Sequence, residues 1–190
     1  MGVEIMEKKI SILGFAGSLR KGSYNKALIR AAQELVPANA VLEIFDLEGI
    51  PPYNQDHEQN PPEKVKAFKQ KIQKADAILI ATPEYNYSIP GVLKNALDWA
   101  SRPFGDNSLE GKPAGIMSAS MGMLGGSRAQ YHMRQIFVFL DMHPLNRPEV
   151  IVPAAHEKVD QSGRVTDEKT RQKIKELLEA LVNWTRRLQK

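Results

Sequence analysis

Residues 17–25 read Gly17-Ser18-Leu19-Arg20-Lys21-Gly22-Ser23-Tyr24-Asn25 and lie between an apolar run and a helical pattern. The run before them, Ile10 to Ala16, is mostly apolar and rich in β-branched residues, which is typical of a strand buried on both faces of a parallel sheet. Apolar residues then recur at helical spacing from Ala27 to Leu35, until Pro37 ends the pattern. The stretch is therefore predicted to be the loop between a strand and the N-terminus of a helix.

This loop has the groups that bind a phosphate. The first N–H groups of a helix have no intrahelical partner, and the helix dipole favours an anion beside them. Ser18, Ser23 and Asn25 offer short neutral side chains, and Arg20 offers a charged fork. The loop has neither common glycine-rich nucleotide motif, and a ligand with one terminal phosphate, flavin mononucleotide (FMN), fits such a loop in a five-stranded doubly wound sheet. The alternative is that the polar residues only cap the helix and Arg20 is a solvated surface charge.

Composition narrows the class of protein. A chain of 190 residues with 42% hydrophobic residues is predicted to form one domain, residues 1–190, with residues 1–8 as a loose tail that lacks the features of a signal peptide. It contains no cysteine, which excludes disulfides and thiolate chemistry and agrees with a cytoplasmic protein. The four histidines show no metal-ligand spacing, so no metal site is predicted.

Charge and hydropathy exclude two kinds of partner. The net charge of +4 is spread without a dense basic stripe, so no nucleic-acid partner is predicted. No uncharged apolar run is long enough to cross a bilayer, so no membrane insertion is predicted. A set of lysines between residues 63 and 74 is interpreted as a solvated helix face: Lys64, Lys66, Lys69, Lys71 and Lys74.

Two further loops follow predicted buried strands. Residues 83–91 follow the apolar run 77–81, and there Tyr85 and Tyr87 offer ring faces for a planar heterocycle, although a packed turn would have the same composition. Residues 118–126 follow the strand predicted at 114–118. Their small residues allow a ligand close to the backbone, although the glycines there could serve only the turn.

Five strand–helix units alternate along the chain, with the remaining strands predicted at residues 41–46, an edge position, and 150–152. This alternation predicts an α/β fold with a doubly wound five-stranded parallel sheet, order 2-1-3-4-5, and helices on both faces. In that order the three loops described above meet at the carboxyl edge of neighbouring strands, where such sheets bind ligands. The helix predicted around residues 129–140 is apolar nearly all round, which is typical of a helix that packs against a partner subunit.

The chain resembles the NADPH-dependent FMN reductases, in particular the flavodoxin-like bacterial branch that reduces quinones, chromate and azo dyes. The resemblance covers nearly the whole chain and rests on the motifs at residues 17–25, 83–99 and 122–131. It implies a flavodoxin-like fold and a homodimer or homotetramer. It also implies three sets of FMN contacts: Ser18, Arg20, Ser23 and Asn25 for the phosphate, Pro83, Glu84, Tyr85 and Asn86 for the isoalloxazine, and Ser118, Ser120 and Gly122 for its other flank.

The expected function is transfer of hydride from NADPH or NADH, through bound FMN, to a small acceptor such as a quinone, an azo dye, chromate or free flavin. The cofactor performs that chemistry, so no catalytic acid, base or nucleophile is predicted, and Glu84 is expected to fix its loop. The alternative is a non-enzymatic electron carrier of flavodoxin type, although such carriers are commonly acidic. A regulatory receiver module would need clustered acids after the first strand, where this chain has Gly17 and Ser18.

Overall fold

The computed structural model describes residues 8–190, so the predicted tail, apart from Lys8, lies outside the described residues. The strands and helices are, in chain order, β1 (Ile10–Ala16), α1 (Tyr24–Leu35), β2 (Ala40–Phe45), α2 (Glu63–Lys74), β3 (Ala77–Thr82), α3 (Gly91–Ala100), β4 (Pro113–Ala119), α4 (Ser127–Leu140), β5 (His143–Pro144), β6 (Val150–Val152) and α5 (Glu168–Leu188). Two short 3₁₀ turns lie at Gln55–His57 and Ala155–Glu157.

The sheet is parallel and has the order β2-β1-β3-β4-β5, which confirms the predicted topology. Strand β6 also pairs with β4, next to Met117, Ser118 and Ala119, whereas β5 pairs with the start of β4 at Pro113 and Ala114. The fifth position of the sheet is therefore divided into two short pieces. The second piece, residues 150–152, is the predicted last strand, and the first was not predicted because two residues that include a proline carry no strand pattern.

Helices cover both faces of the sheet, as is typical of a parallel sheet, and the exposed strand residues Val41, Glu43 and Ile44 lie on edge strand β2. Successive β1 residues point to opposite faces, so Ile12 packs in the core under α1 and α5 while Leu13 packs in the core under α2, α3 and α4. Every residue of β3 and β4 is buried. This burial on both sides leaves the two ends of the sheet as the places where polar groups reach solvent.

Lys69 departs from the predicted solvated face of α2. Its side chain is only 9% exposed, and its Nζ donates to the carboxylate of Asp106 at 2.6 Å and to the carbonyl oxygen of Arg102. The prediction was wrong because the segment after α3 folds over this point of α2 and supplies acceptors that no local pattern reveals. The ammonium group tolerates burial because these acceptors replace water. Across residues 8–190, none of the helices combines the length and apolarity that a bilayer span requires.

Candidate active site

The loops after β1, β3 and β4 meet at the carboxyl edge of the sheet and enclose a cavity of about 210 Å³. Its lining consists of Ser18, Arg20, Ser23, Tyr24, Asn25, Pro83, Glu84, Tyr85, Ala119, Ser120 and Met121. Tyr24, Ala119 and Met121 were not predicted as site residues. Three predicted residues, Asn86, Ser118 and Gly122, lie outside this lining.

Unpaired donors gather at the end of the cavity formed by the first loop. Ser23 caps α1, since its hydroxyl accepts from the Lys26 N–H at 3.3 Å, and the N–H groups of the turn before Lys26 have no intrahelical acceptor. Ser18 is 6% exposed, and its hydroxyl has no hydrogen-bond partner within residues 8–190. Arg20 donates once, to the Gly22 carbonyl at 3.3 Å, which leaves most of its donors available. This end can therefore hold an anion with several donors at once.

Asn25 differs from the other polar residues of that loop because its side chain bonds to the end of β4. Its amide nitrogen donates to the Ala119 carbonyl at 3.0 Å, and its amide oxygen accepts from the Ala119 N–H at 2.9 Å. The side chain is nearly fully buried, with both polar ends committed to the end of β4. Asn25 thus holds the first and third loops together, and any bond from it to a ligand would come from its backbone N–H.

The second loop contains a tight turn. Tyr85 and Ser88 exchange backbone hydrogen bonds of 3.0 and 2.9 Å, and Asn86 and Tyr87 between them have φ angles of 51° and 67°. Positive φ at both central residues is the signature of a type I′ turn. The Tyr87 ring lies 3.6 Å from the Arg128 guanidinium, whereas the half-exposed Tyr85 lines the cavity. Tyr85 is therefore the tyrosine of this loop that a ligand in the cavity can contact, whereas Tyr87 is exposed outside the cavity and lies against Arg128.

Glu84 fastens the second loop to helix α4. Its carboxylate, 8% exposed, pairs with the Arg128 guanidinium and accepts from the backbone N–H of Arg128 at 3.1 Å. A second anchor joins Ser88 and His132, whose side-chain polar atoms are 3.0 Å apart. These contacts agree with the expected loop-fixing role of Glu84. Sequence reasoning missed the role of Arg128, whose only signal was a cation at the start of a helix that follows a glycine loop.

The two serines of the third loop differ in burial: Ser120 faces the cavity and Ser118 lies behind it. Ser120 lines the cavity, and its hydroxyl accepts from the Gly122 N–H at 3.1 Å. Ser118 is fully buried, and its hydroxyl accepts from the Gln130 amide at 2.8 Å. A Cβ on Gly126 would lie 2.8 Å from Cβ of Ser118, so this glycine lets α4 begin close against β4. Ser118 therefore supports the site from behind, and Ser120 is the serine that a ligand can reach.

The chemistry of the cavity is that of a binding site. Within residues 8–190, no group of three or more His, Asp or Glu residues is placed to hold a metal ion. Glu84 is the one carboxylate of the lining, and it is engaged with Arg128 and α4. The arrangement can hold an anionic group at the first loop and present a flat face at the second. It offers no unengaged carboxylate for proton transfer.

Comparisons with known proteins agree on one family. The family model described as NADPH-dependent FMN reductase matches residues 10–157, a range that contains all three loops. An NAD(P)H-dependent FMN reductase of Pseudomonas aeruginosa is 52% identical over 184 residues, which cover 96% of this chain and 99% of that protein. A quinone reductase of Escherichia coli is 46% identical over 172 residues, which cover 87% of this chain and 89% of that protein.

A solved structure shows the same fold. It is that of FerB, a flavoenzyme NAD(P)H:(acceptor) oxidoreductase from Paracoccus denitrificans, with a TM-score of 0.85 and 35% sequence identity. The match covers 94% of this chain and 98% of that chain. The shared architecture therefore extends over nearly the whole of both chains.

Proposed function

This chain belongs to the NADPH-dependent FMN reductase family, and on that premise we propose that it is an enzyme that transfers hydride from a nicotinamide cofactor, through bound FMN, to a small acceptor of quinone type. The observation that carries the proposal is the convergence of three loops, distant in sequence, on one cavity with free donors at one end and an exposed tyrosine at the other. A site of that shape suits an elongated ligand with one anionic end.

The residues present fit FMN. At the anionic end, Ser18, Arg20 and the first N–H groups of α1 would hold the phosphate, because most of their donors are unpaired and they lie near a helix N-terminus. At the other end, Pro83, Tyr85 and Met121 would lie against the ring. When bound, FMN supplies the redox chemistry, accepting hydride from one substrate and giving reducing equivalents to the next.

The chain itself contributes position and electrostatics. Arg20 and the dipole of α1 would offset the phosphate charge, and the Glu84–Arg128 pair fixes the loop that faces the ring. The site would bind the nicotinamide cofactor, and later the acceptor, next to the flavin. Such positioning makes each transfer a reaction between adjacent groups and lowers its entropic barrier. We assign no proton-transfer residue.

The cavity also indicates which acceptors can reach the ring. At about 210 Å³ it is smaller than the ~300 Å³ at which small-molecule pockets usually begin, so it would enclose the phosphate end and leave the ring side open. A planar quinone can stack on a ring exposed in that way. The name of the Escherichia coli relative favours a quinone over an azo dye, chromate or free flavin as the main acceptor.

We also propose that the enzyme works as a homodimer or homotetramer, in which a second copy covers apolar groups near the ring side. Helix α4 exposes Tyr131, Val138 and Phe139, the last two to 82% and 74%, and the third loop exposes Met123 to 93%. Exposed apolar side chains on one helix and on the loop before it are typical of a surface that a partner covers. Sedimentation of the purified protein tests this, with Phe139→Glu expected to shift the species to monomer, and a wild-type protein that is monomeric at micromolar concentration would contradict it.

The function is tested with the purified protein and no partner protein. We expect a yellow protein, or one that becomes so after incubation with FMN, that oxidises NADPH or NADH when benzoquinone is supplied. A non-enzymatic carrier would bind FMN and leave the nicotinamide unoxidised, and a protein that stayed colourless after FMN would exclude both functions. We place the enzyme in the cytoplasm, where the nicotinamide pool is maintained, and cell fractionation tests that location.

A further inference from the structure

Phe104 projects from the surface shortly after α3, at the corner of a tight turn. The Asp106 N–H donates to the Pro103 carbonyl at 3.0 Å, and Gly105 has a φ of 88°, which a type II turn requires at its third residue. Phe104, the second residue of this turn, is 88% exposed. A ring in that position adds nothing to the core of its own chain.

Lys69 of α2 holds both ends of this turn. Its Nζ donates to the Arg102 carbonyl, to the Asp106 carbonyl at 3.1 Å and to the Asp106 carboxylate at 2.6 Å. The lysine is buried, and these bonds fix the turn against α2. Phe104 is therefore held in one place before any partner arrives, and a contact made by a preorganised side chain costs little ordering.

A second cavity, of about 600 Å³, lies between α3, the start of α2 and the loop before α2. Tyr53 and Trp99 line it, with their rings edge to face at 5.1 Å, together with the four prolines at positions 51, 52, 61 and 62. Nε1 of Trp99 donates to the Pro51 carbonyl at 2.9 Å, and the Tyr53 N–H donates to Oδ1 of Asn95 at 2.7 Å. Both bonds fix the loop on α3, so the cavity is preformed.

The lining of this cavity favours an aromatic group over an ion. Glu63 and Lys66, its two residues with full charges, pair with each other at 2.8 Å. Proline and aromatic side chains supply most of the remaining lining. Because aromatic rings gain from edge-to-face and stacked contacts beyond the burial of their area, the occupant that fits is an aromatic side chain.

Phe104 and this cavity lie side by side on one face of the chain. Lys66, which lines the cavity, lies one turn before Lys69 on α2, and the Trp99 carbonyl accepts from the Arg102 N–H at 3.3 Å. Phe104 is not part of the lining, so it does not fill the cavity of its own chain. A two-fold axis midway between a projection and a cavity places each projection in the cavity of the other copy, and the two contacts form together.

We propose that Phe104 of a second copy of this chain occupies this cavity, and that the contact joins two dimers into a tetramer. The tetramer rests on the proposed function, in which α4 forms the dimer interface, and Tyr131, Val138 and Phe139 of α4 take no part in the cavity. Each dimer then presents two such faces, so two dimers bind through both at once, whereas two monomers share only one. Loss of the α4 interface therefore still leaves monomers at micromolar concentration.

Photo-cross-linking tests the contact directly. p-Benzoylphenylalanine in place of Phe104 keeps an aromatic ring and, under ultraviolet light, bonds to groups that it touches. We expect a covalent dimer on a denaturing gel, with the link mapped by mass spectrometry to the cavity lining, at residues 51–66 or Trp99. The same replacement at Leu188, 40% exposed at the end of α5 on the other face of the sheet, is the control and should give no covalent dimer. A missing dimer, or a link to another segment, overturns the proposal.

Sedimentation of the purified protein gives the second readout. We expect a wild-type tetramer, and Phe104→Asp should raise the dissociation constant of the tetramer into dimers at least about tenfold, the scale for loss of a central aromatic contact. Leu188→Asp should change that constant by less than about twofold. Because Phe104 is exposed, Phe104→Asp should unfold at the same temperature as the wild type. A folded Phe104→Asp protein that sediments like the wild type overturns the proposal.

Two more measurements separate this contact from other occupants and from the proposed function. If the wild type, but not Phe104→Asp, pellets with phosphatidylglycerol vesicles while both proteins have the same oligomeric state, Phe104 contacts a membrane and the proposal is wrong. A protein that neither binds FMN nor oxidises a nicotinamide refutes the proposed function, and the cross-link still decides whether Phe104 occupies the cavity.

Discussion

The carboxylate of Glu84 pairs with the guanidinium of Arg128 and also accepts the backbone N–H of Arg128 at 3.1 Å. Helix α4 begins after Gly126, which has no side chain to cap it, so the acceptor comes from a loop 44 positions earlier. One side chain therefore caps a helix and fixes the loop that carries Tyr85. The stability of α4 and the shape of the ring end of the cavity are coupled through this contact.

Replacing Glu84 by Gln should lower stability more than it alters the chemistry. We expect the free energy of unfolding to fall by about 1.5–3 kcal/mol, the scale for a hydrogen bond to a charged group, because the neutral amide loses the charge that pairs with Arg128 and has one acceptor oxygen where the carboxylate has two. Urea denaturation measures this loss. Glu63→Gln is the control, since Glu63 is exposed in the first turn of α2 and pairs only with Lys66, so it should cost under about 0.5 kcal/mol. Loss of turnover in a Glu84→Gln protein that folds and binds FMN would instead indicate a chemical role.

Removal of the Arg20 side chain should weaken FMN binding. Arg20→Ala removes a guanidinium that faces the cavity and has one protein partner, so the loss should be roughly 1.5–3 kcal/mol, the scale for a charged hydrogen bond. Quenching of flavin fluorescence during titration of the apoprotein measures it. Arg187→Ala, at the C-terminal end of α5, is the matched control. Unchanged flavin affinity in Arg20→Ala would refute the assigned role.

Substitution of Asn25 should lower the stability of the fold more than it weakens ligand binding. Asn25→Ala leaves the buried N–H and carbonyl of Ala119 without their partners, which should cost about 2–4 kcal/mol. Gln33→Ala offers a comparison, because Gln33 donates a single bond, to the Leu42 carbonyl at 3.0 Å, and should cost about 1 kcal/mol. Equal effects of the two substitutions on unfolding in urea would contradict the clamp described for Asn25.

Two glycines that both have positive φ should respond differently to substitution by alanine. Gly125 and Gly49 both have positive φ, 58° and 85°, so each alanine incurs about 1–2 kcal/mol of backbone strain. A Cβ on Gly125 would also lie 2.8 Å from the backbone nitrogen of Pro153, whereas nothing lies within 4 Å of one on Gly49. Gly125→Ala should therefore cost a further ~1–3 kcal/mol in thermal or urea unfolding. If Gly125→Ala and Gly49→Ala lost the same amount of stability, the third loop would be able to shift and accommodate the added Cβ.

Asp160 should make stability depend on pH at the acid end. The Ser162 hydroxyl, followed by the Arg164 backbone N–H, lowers the pKa of Asp160 from 3.8 to about 2. A depressed pKa in the folded state means that the stabilisation is present above about pH 4 and is lost as the pH falls through about 2. The difference in Tm between wild type and Asp160→Asn should therefore shrink between pH 5 and pH 2 (about three units of pH). A constant difference over that range would exclude this titration.

The predicted parts of the fold are those with a local physical signal. The runs that became β1, β3 and β4 are mostly apolar because both faces are covered, and an apolar run of that length between turn residues indicates a buried strand. The order of the sheet followed from the alternation of strands and helices. Strand β5 had no such signal, because His143 and Pro144 form it only through pairing with β4.

The candidate site was predicted from residue types in the first loop and from the family resemblance in the second and third loops, and only the structure gives the contacts of these residues. Eight of the predicted residues line the cavity, namely Ser18, Arg20, Ser23, Asn25, Pro83, Glu84, Tyr85 and Ser120. Ser118 is buried against Gln130, and Asn86 occupies the outer corner of the type I′ turn. A polar residue after a strand can face a ligand, a neighbouring loop or the solvent, and its sequence position is the same in all three cases.

By itself the sequence determined which segments are buried, the order in which strands and helices alternate, and hence that three polar loops share one edge of the sheet. These properties follow from hydrophobic periodicity and from the handedness of parallel connections, which act over a few residues or one strand–helix unit. Only the tertiary structure decided that Asn25 bonds to Ala119, that Glu84 caps α4 and that Lys69 is buried. The hydrogen bonds involved join residues 33 to 94 positions apart, and bonds over such distances produce no periodic pattern in the sequence.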